Sequence, residues 1–272
     1  MWPTCSALRE PSENVVAFTS GAAVDRSVRR RPSGRCPTSH RPTGHDASVT
    51  ELGDLIERYG PSPDAQAVSW DREKWEKVWS DAPQLPGGAV LDRIEAEATG
   101  SGAGTIRRSW IRELADHDSV QFLAASTIWG FGGFEGRGRT WLQQMLQTPD
   151  VEAVTQSIIE ASRRSPREGF SSLFRGGRTR IKYLGIAFGT KLVHFAGYDH
   201  AKPQPLILDK RVYASAVRLG LTDVIPNPET YTTGLEYETY CAWAAEVAAA
   251  HGTRGVEPQA VEYALFAAAG RW

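Results

Sequence analysis

Cysteine is scarce. Cys5, Cys36 and Cys241 are too few for a disulfide framework, and three thiolates cannot hold an iron–sulfur cluster that needs four. The six histidines and three cysteines show no C-x-x-C or H-x-x-x-H spacing, so no metal site is expected. Walker and dinucleotide signatures are missing too. Gly130-x-Gly132-Gly133 is glycine-dense but follows no strand, and no cofactor is expected. Long apolar runs are also lacking. Ala242–Ala250 is broken by Glu246 and falls far short of the roughly 18 residues that span a bilayer, so no membrane role is expected. No apolar segment suits a secretory signal, and Cys241 is the only thiol in the part expected to fold, which together suit a reducing cytoplasm. Internal repeats are absent, and only Pro205–Leu208 reads as a strand.

The formal net charge is -1, so the chain as a whole has no pull on a polyanion. The charge is unevenly spread, however. Between Arg163 and Lys182 stand Arg163, Arg164, Arg167, Arg175, Arg178, Arg180 and Lys182 against Glu168 alone. A basic patch on an otherwise acidic body fits a nucleic-acid backbone, and it equally fits a solvated loop.

Residues 1–48 are rich in Ser, Pro, Gly, Thr and Arg without an apolar period, and are read as a disordered tail. The folded domain is expected over 49–272. Apolar periodicity, caps and breakers predict helices over Glu51–Tyr59, Asp71–Trp79, Val90–Ala98 and Thr105–Ala115, and Val120–Ile128 is apolar. Further helices are predicted over Val151–Arg163 (capped by Asp150), Ile181–Ala196, Lys210–Leu219, Leu235–His251 and Pro258–Ala269. The fold class is mainly α.

One stretch carries chemistry. Tyr183-Leu184-Gly185-Ile186-Ala187-Phe188-Gly189-Thr190-Lys191 brings a glycine-bearing turn to the start of a helix. Unpaired N–H groups at such a start make an anion site suited to a DNA phosphate. Lys191 lies just inside, on a segment otherwise apolar. Partial desolvation there favours the free amine that a nucleophile needs. Eighteen residues on, Asp209 follows the apolar run Pro205–Leu208 and starts a helix, where N–H bonds and the helix dipole hold it ionised. An ordinary helical hairpin with a surface lysine and a capping aspartate would show the same residues singly.

Taken in order, the turn, the lysine, the apolar run and the aspartate resemble the helix-hairpin-helix DNA glycosylases, specifically the 8-oxoguanine glycosylase branch and its bacterial group, some of whose members act in phage defence. In that family a Leu-x-Gly-x-Gly hairpin leads to a lysine, and an apolar run ends in an aspartate about twenty residues on. The likeness centres on Arg178–Leu219, with the helix-hairpin-helix at about 178–197. The hairpin here is not a clean Gly-x-Gly, and the lysine-to-aspartate spacing is shorter by about one residue. The β-rich domain of the eukaryotic enzymes is not evident.

The resemblance implies a two-lobed helix-hairpin-helix fold that flips a modified base out of double-stranded DNA. It implies Lys191 and Asp209 as catalytic residues, with a lyase step available to the lysine. It implies DNA contacts at Gly185, Gly189, Thr190, Arg175, Arg178, Arg180 and Lys182, and a protein acting as a monomer. The base is 8-oxoguanine by the family, or a modified cytosine by the defence relatives. Trp129 and Phe134, beside the glycine-dense loop, and Trp243 and Phe266, on alanine-rich helices, are candidates for the base pocket; each is equally a core aromatic. His194, one turn after Lys191, reads as a packing or phosphate-contact residue. The alternative to an enzyme is a non-catalytic helix-hairpin-helix DNA-binding protein.

Overall fold

The computed structural model describes residues 44–60, 63, 66–100, 104–132, 137–175, 177–251 and 255–269. Residues 1–43, most of the expected tail, lie outside them. The first element is the helix α1 (Gly44–Tyr59), which starts seven residues before the predicted Glu51.

β1 (Ala67–Ser69) is followed by α2 (Arg72–Ser80) and α3 (Val90–Gly100). The segment Thr105–Ala115, read as one helix, is two elements. β2 (Thr105–Arg107) pairs antiparallel with β1, Val68 opposite Ile106, and α4 (Arg108–Leu114) follows directly. Thr105 and Ile106 are β-branched and favour the extended backbone, and their partner strand lies too far along the chain for local pattern to reveal it. Then come α5 (Ser119–Phe131), α6 (Arg137–Leu146), α7 (Val151–Arg164) and α8 (Pro166–Ser172). Asp150 precedes α7 with a left-handed backbone (φ 54°) and makes no side-chain cap. An N-cap needs extended geometry there to bring its oxygen over the first N–H groups.

A two-stranded ribbon, β3 (Phe174–Arg175) and β4 (Arg178–Thr179), leads to α9 (Ile186–Gly197). The predicted Ile181–Ala196 helix therefore begins late. Tyr183 has φ 65°, which interrupts a helix, and Gly185 is the N-cap. The hairpin joins α8 to α9, so its first helix lies upstream of residue 178. α10 (Lys210–Arg218), α11 (Gly234–Ala250) and α12 (Pro258–Ala268) complete the chain, α11 opened by a capping box between Thr233 and Glu236.

The fold is mainly α and two-lobed. α3, α4, α6, α7 and α9 pack around the apolar α5, which is buried along nearly its whole length, and α2 packs on α3 and α6. α1, α10 and α11 pack on α12, and α8 bridges to α11. One hydrophobic core runs through both groups. No helix among the described residues is long and apolar enough to cross a membrane.

Pro205–Leu208 is extended but not a strand. Hydroxyl groups satisfy its backbone instead. Leu206 N–H donates to Tyr237 Oη (3.1 Å), which donates back to the Leu206 carbonyl. Tyr240 Oη donates to the Ile207 carbonyl (3.2 Å), and Leu208 N–H donates to Thr190 Oγ1 (3.0 Å). These bonds tie α9 and α11 to the segment that delivers Asp209.

Candidate active site

Asp209 caps α10 through one oxygen. Its Oδ1 accepts from the N–H groups of Arg211 (3.0 Å) and Val212 (3.1 Å). The other oxygen, Oδ2, faces Lys191 Nζ at 3.7 Å. Lys191 is buried on the second turn of α9, and its ammonium also donates to the Ala187 carbonyl at 3.2 Å. Burial pushes the Lys191 amine below the ordinary lysine value, and the Arg108 guanidinium adds to this, while Asp209 and Glu262 pull the other way. Gly130 makes room for this lysine: a Cβ there would lie 2.7 Å from the Phe188 ring and 3.1 Å from Lys191 Cδ.

Lys191 and Asp209 open into a cavity of about 210 Å³ between the lobes. Trp129, Phe131 and the backbone of Gly130 and Gly132 form one side. Ile207 and Phe266 come from the other lobe, with Gln66 and Val68 from β1. Arg108 and Glu262 complete the lining. They form an ion pair that is 1% and 0% exposed, with Arg108 Nη1 2.8 Å from Glu262 Oε2. Arg108 Nε also donates to Gln66 Oε1 (2.7 Å), and its guanidinium lies 5.4 Å from the Trp129 ring. Burial raises the Glu262 carboxyl above its ordinary value, against the pull of Arg108. The pocket thus holds two oppositely charged pairs. Trp129 Nε1–H is buried and has no partner among the described residues.

The structure brings Lys191, Asp209, Trp129 and Phe266 together. It does not bring Trp243, which lies on α11 stacked with Tyr240 at 6.5 Å and does not line the cavity. α11 is apolar on most sides, so sequence spacing could not tell which aromatic faced inward. Phe134 lies outside the described residues.

Of the residues expected on DNA, Gly185 is exposed at the N-terminus of α9, with no side chain capping it. Arg178 and Lys182 are exposed, Lys182 Nζ donating to Gln144 Oε1 at 2.7 Å. Arg180 is half-buried and donates to Ser157 Oγ (3.1 Å). Arg175 belongs to β3. Gly189 and Thr190 are buried and cannot meet a phosphate directly. Gly189 sits inside α9, where a Cβ would lie 2.5 Å from Leu173, and Thr190 bonds to the Leu208 backbone. The glycine in the fourth helical position serves packing, whereas the turn itself ends at Gly185. Within the basic stretch, Arg163 pairs with Asp116 and Arg164 with Glu168, each at 2.5 Å, so part of its charge is already matched.

His194 is a buried structural residue. Its Nδ1 lies 2.7 Å from the Pro205 carbonyl, which can only accept, so Nδ1 carries the proton. Burial and the nearby arginines Arg108 and Arg112 push its pKa well below the ordinary histidine value.

Arg108, Glu262 and Gln66 were not visible as site residues in the sequence. A signal existed for one of them: Glu262 is the sole charge inside an otherwise apolar helix, and such a charge needs a partner.

Neither a curated protein nor a solved structure matches the chain. A family model, described as putative 8-oxoguanine DNA glycosylase OGG-like protein, matches residues 61–266. That span takes in both lobes' contributions to the cavity, from Gln66 on β1 to Glu262 and Phe266 on α12. The match extends over well over half of the 272 residues, and the chain belongs to the 8-oxoguanine DNA glycosylase OGG-like family.

Proposed function

We propose that this protein is a DNA N-glycosylase that extrudes one modified base from a duplex and excises it with Lys191 as nucleophile. The observation that carries this is the buried lysine facing a capped aspartate at 3.7 Å on a cavity of about 210 Å³. A base inside a duplex is out of reach, so the nucleotide has to be flipped into the pocket. The deprotonated Lys191 Nζ bonds to C1′ of the sugar. The bond from C1′ to the base nitrogen breaks, and its electron pair leaves with the base, which gains a proton. The lysine nitrogen gives up its protons, one matching that gained by the base; the C1′–O4′ bond breaks, its electron pair and the other proton go to O4′, and the opened sugar is left as a Schiff base. β-Elimination from that adduct would give a lyase step. The Asp209 side chain, held in place by the α10 N–H groups, offsets positive charge developing on the sugar.

The pocket supports a substrate of one base in size. Its volume is below the roughly 300–1,000 Å³ of sites that take drug-sized ligands. That favours an 8-oxoguanine-like base over a cytosine enlarged by a hexose. Trp129 supports the same reading: a buried N–H without a partner costs about 1–3 kcal/mol, and an acceptor on a bound base would relieve this.

Borohydride trapping on a panel of modified duplexes tests the proposal. The wild type should form a reducible covalent adduct with at least one of them. Lys191→Gln should form none while binding the same duplex within a few fold. Full trapping by the variant would make another amine the nucleophile. Binding without excision or trapping on every duplex would leave a non-catalytic DNA-binding protein.

A further inference from the structure

Stability does not account for Arg108. Its guanidinium is buried together with the carboxylate of Glu262. A pair taken so far out of water adds little to stability, and apolar side chains of similar volume serve as well or better. The pair also lines the cavity that holds Lys191 and Asp209.

Arg108 is fixed from several sides. It is the first residue of α4, its Nε donates to Gln66, and its Nη groups donate to Glu262 on α12 at 2.8 and 3.4 Å. These three bonds leave two of the five guanidinium N–H groups for a further acceptor. Trp129 lines the same cavity, 5.4 Å from the guanidinium, with its buried Nε1–H unpartnered among the described residues. A cation and a spare donor therefore stand together beside the nucleophile.

Breaking the bond between C1′ and the base separates charge. The sugar becomes positive, and Asp209 answers that. The base becomes negative, because it keeps the bonding pair, and neither Lys191 nor Asp209 is placed to answer it as the cation and the carboxylate of the sugar side. Fixed positive charge aimed at a developing anion in a dry site is a large catalytic effect. We propose that Arg108 stabilises the base as it leaves, its guanidinium receiving the negative charge that the broken bond puts on the base. This inference rests on the glycosylase reading. Arg108 keeps its own protons throughout, and the base is neutralised by the proton that the lysine nitrogen gives up. Glu262 holds the guanidinium in the site before a base arrives, where a buried cation without a counter-charge would be costly.

The test gives the full chain two duplexes. One carries the modified base that the wild type excises, 8-oxoguanine being the first tried. The other carries a preformed abasic aldehyde, on which Lys191 forms its Schiff base with no base to expel. Arg108→Met/Glu262→Leu removes both charges and leaves no orphan, so the fold should hold. Its single-turnover excision should fall by about 10²-fold. Its borohydride trapping on the abasic duplex should stay near the wild-type rate, which also reports that the pocket is folded. Glu262→Gln keeps the cation and should retain most of the excision that the double variant loses. A base analogue with a more acidic ring N–H, a better leaving group, should shrink the deficit of the double variant. If the double variant does not fold, Arg108→Lys and Arg108→Gln carry the same comparison, and the lysine variant should excise the faster. Equal losses on both duplexes would make the pair a structural strut and overturn the proposal. So would wild-type excision by the double variant, or a deficit that ignores the leaving group. A wild type that excises no modified duplex overturns the glycosylase reading itself, and this inference with it.

Discussion

Asp209 divides its work between two oxygens, with Oδ1 on the α10 cap and Oδ2 toward Lys191. Asp209→Asn separates the two. The amide oxygen keeps the cap, so stability should change by less than about 1 kcal/mol. The charge is lost, and single-turnover excision should fall by about 10²-fold or more. Thermal melts and excision rates measured on the same preparation check both halves. An asparagine variant that excises normally would leave Asp209 as a cap alone. His194 gives a second outcome at this scale. Its pKa in the fold lies well below the ordinary value of 6.5, whereas in the unfolded chain it is ordinary. As pH falls below about 6.5, the unfolded state takes up a proton that the folded state refuses. Stability should therefore fall toward acid, by up to about 1.4 kcal/mol per pH unit from this group, until the folded pKa is reached. His194→Asn should flatten the slope by that amount in urea titrations between pH 6.5 and 5. An unchanged slope would mean that His194 accepts a proton without loss.

At the scale of elements, Asp209 is aimed by an extended segment whose neighbours are hydroxyl groups in place of strands. Tyr237 bonds to both backbone groups of Leu206. Tyr237→Phe should remove both of these buried hydrogen bonds and cost about 1–3 kcal/mol, read as a lower denaturant midpoint. Excision should fall with it, since the segment carries Asp209 into the pocket. A phenylalanine variant with wild-type stability and rate would show that the clamp is dispensable. Such devices explain what could be read beforehand and what could not. The cap at Asp209 was legible because a cap is local, whereas Asp150, chosen on the same rule, has the wrong backbone for one. The long helices were legible from their apolar faces. The β1–β2 pair and the clamp were not, because their partners are distant in sequence. Lys191 and Asp209 could be nominated from spacing. Trp129 and Phe266 were separable from Trp243 only once the helices were packed.

At the scale of the whole molecule, the pocket exists only where the lobes meet. Arg108 and Glu262 are 154 residues apart in sequence, so no local pattern joins them. Together with Lys191 and Asp209 they place two positive and two negative groups around one small cavity. The basic ribbon beside α9 is different: Arg178 and Lys182 are exposed, and neither is in an ion pair among the described residues. Ionic strength should therefore act on one stage of the reaction and spare the other. Raising salt from roughly 50 to 200 mM displaces the advantage of exposed cations on phosphates, so the dissociation constant for any duplex should climb steeply. The paired charges of the pocket are shielded by protein from the ion atmosphere. With protein in saturating excess, the single-turnover rate on a modified duplex should stay within about two-fold over the same range. A rate that fell in step with affinity would place mobile ions inside the pocket. For the glycosylase proposed above, that division would mean a grip that can slacken and slide along DNA while the chemistry in the cleft keeps a constant pace.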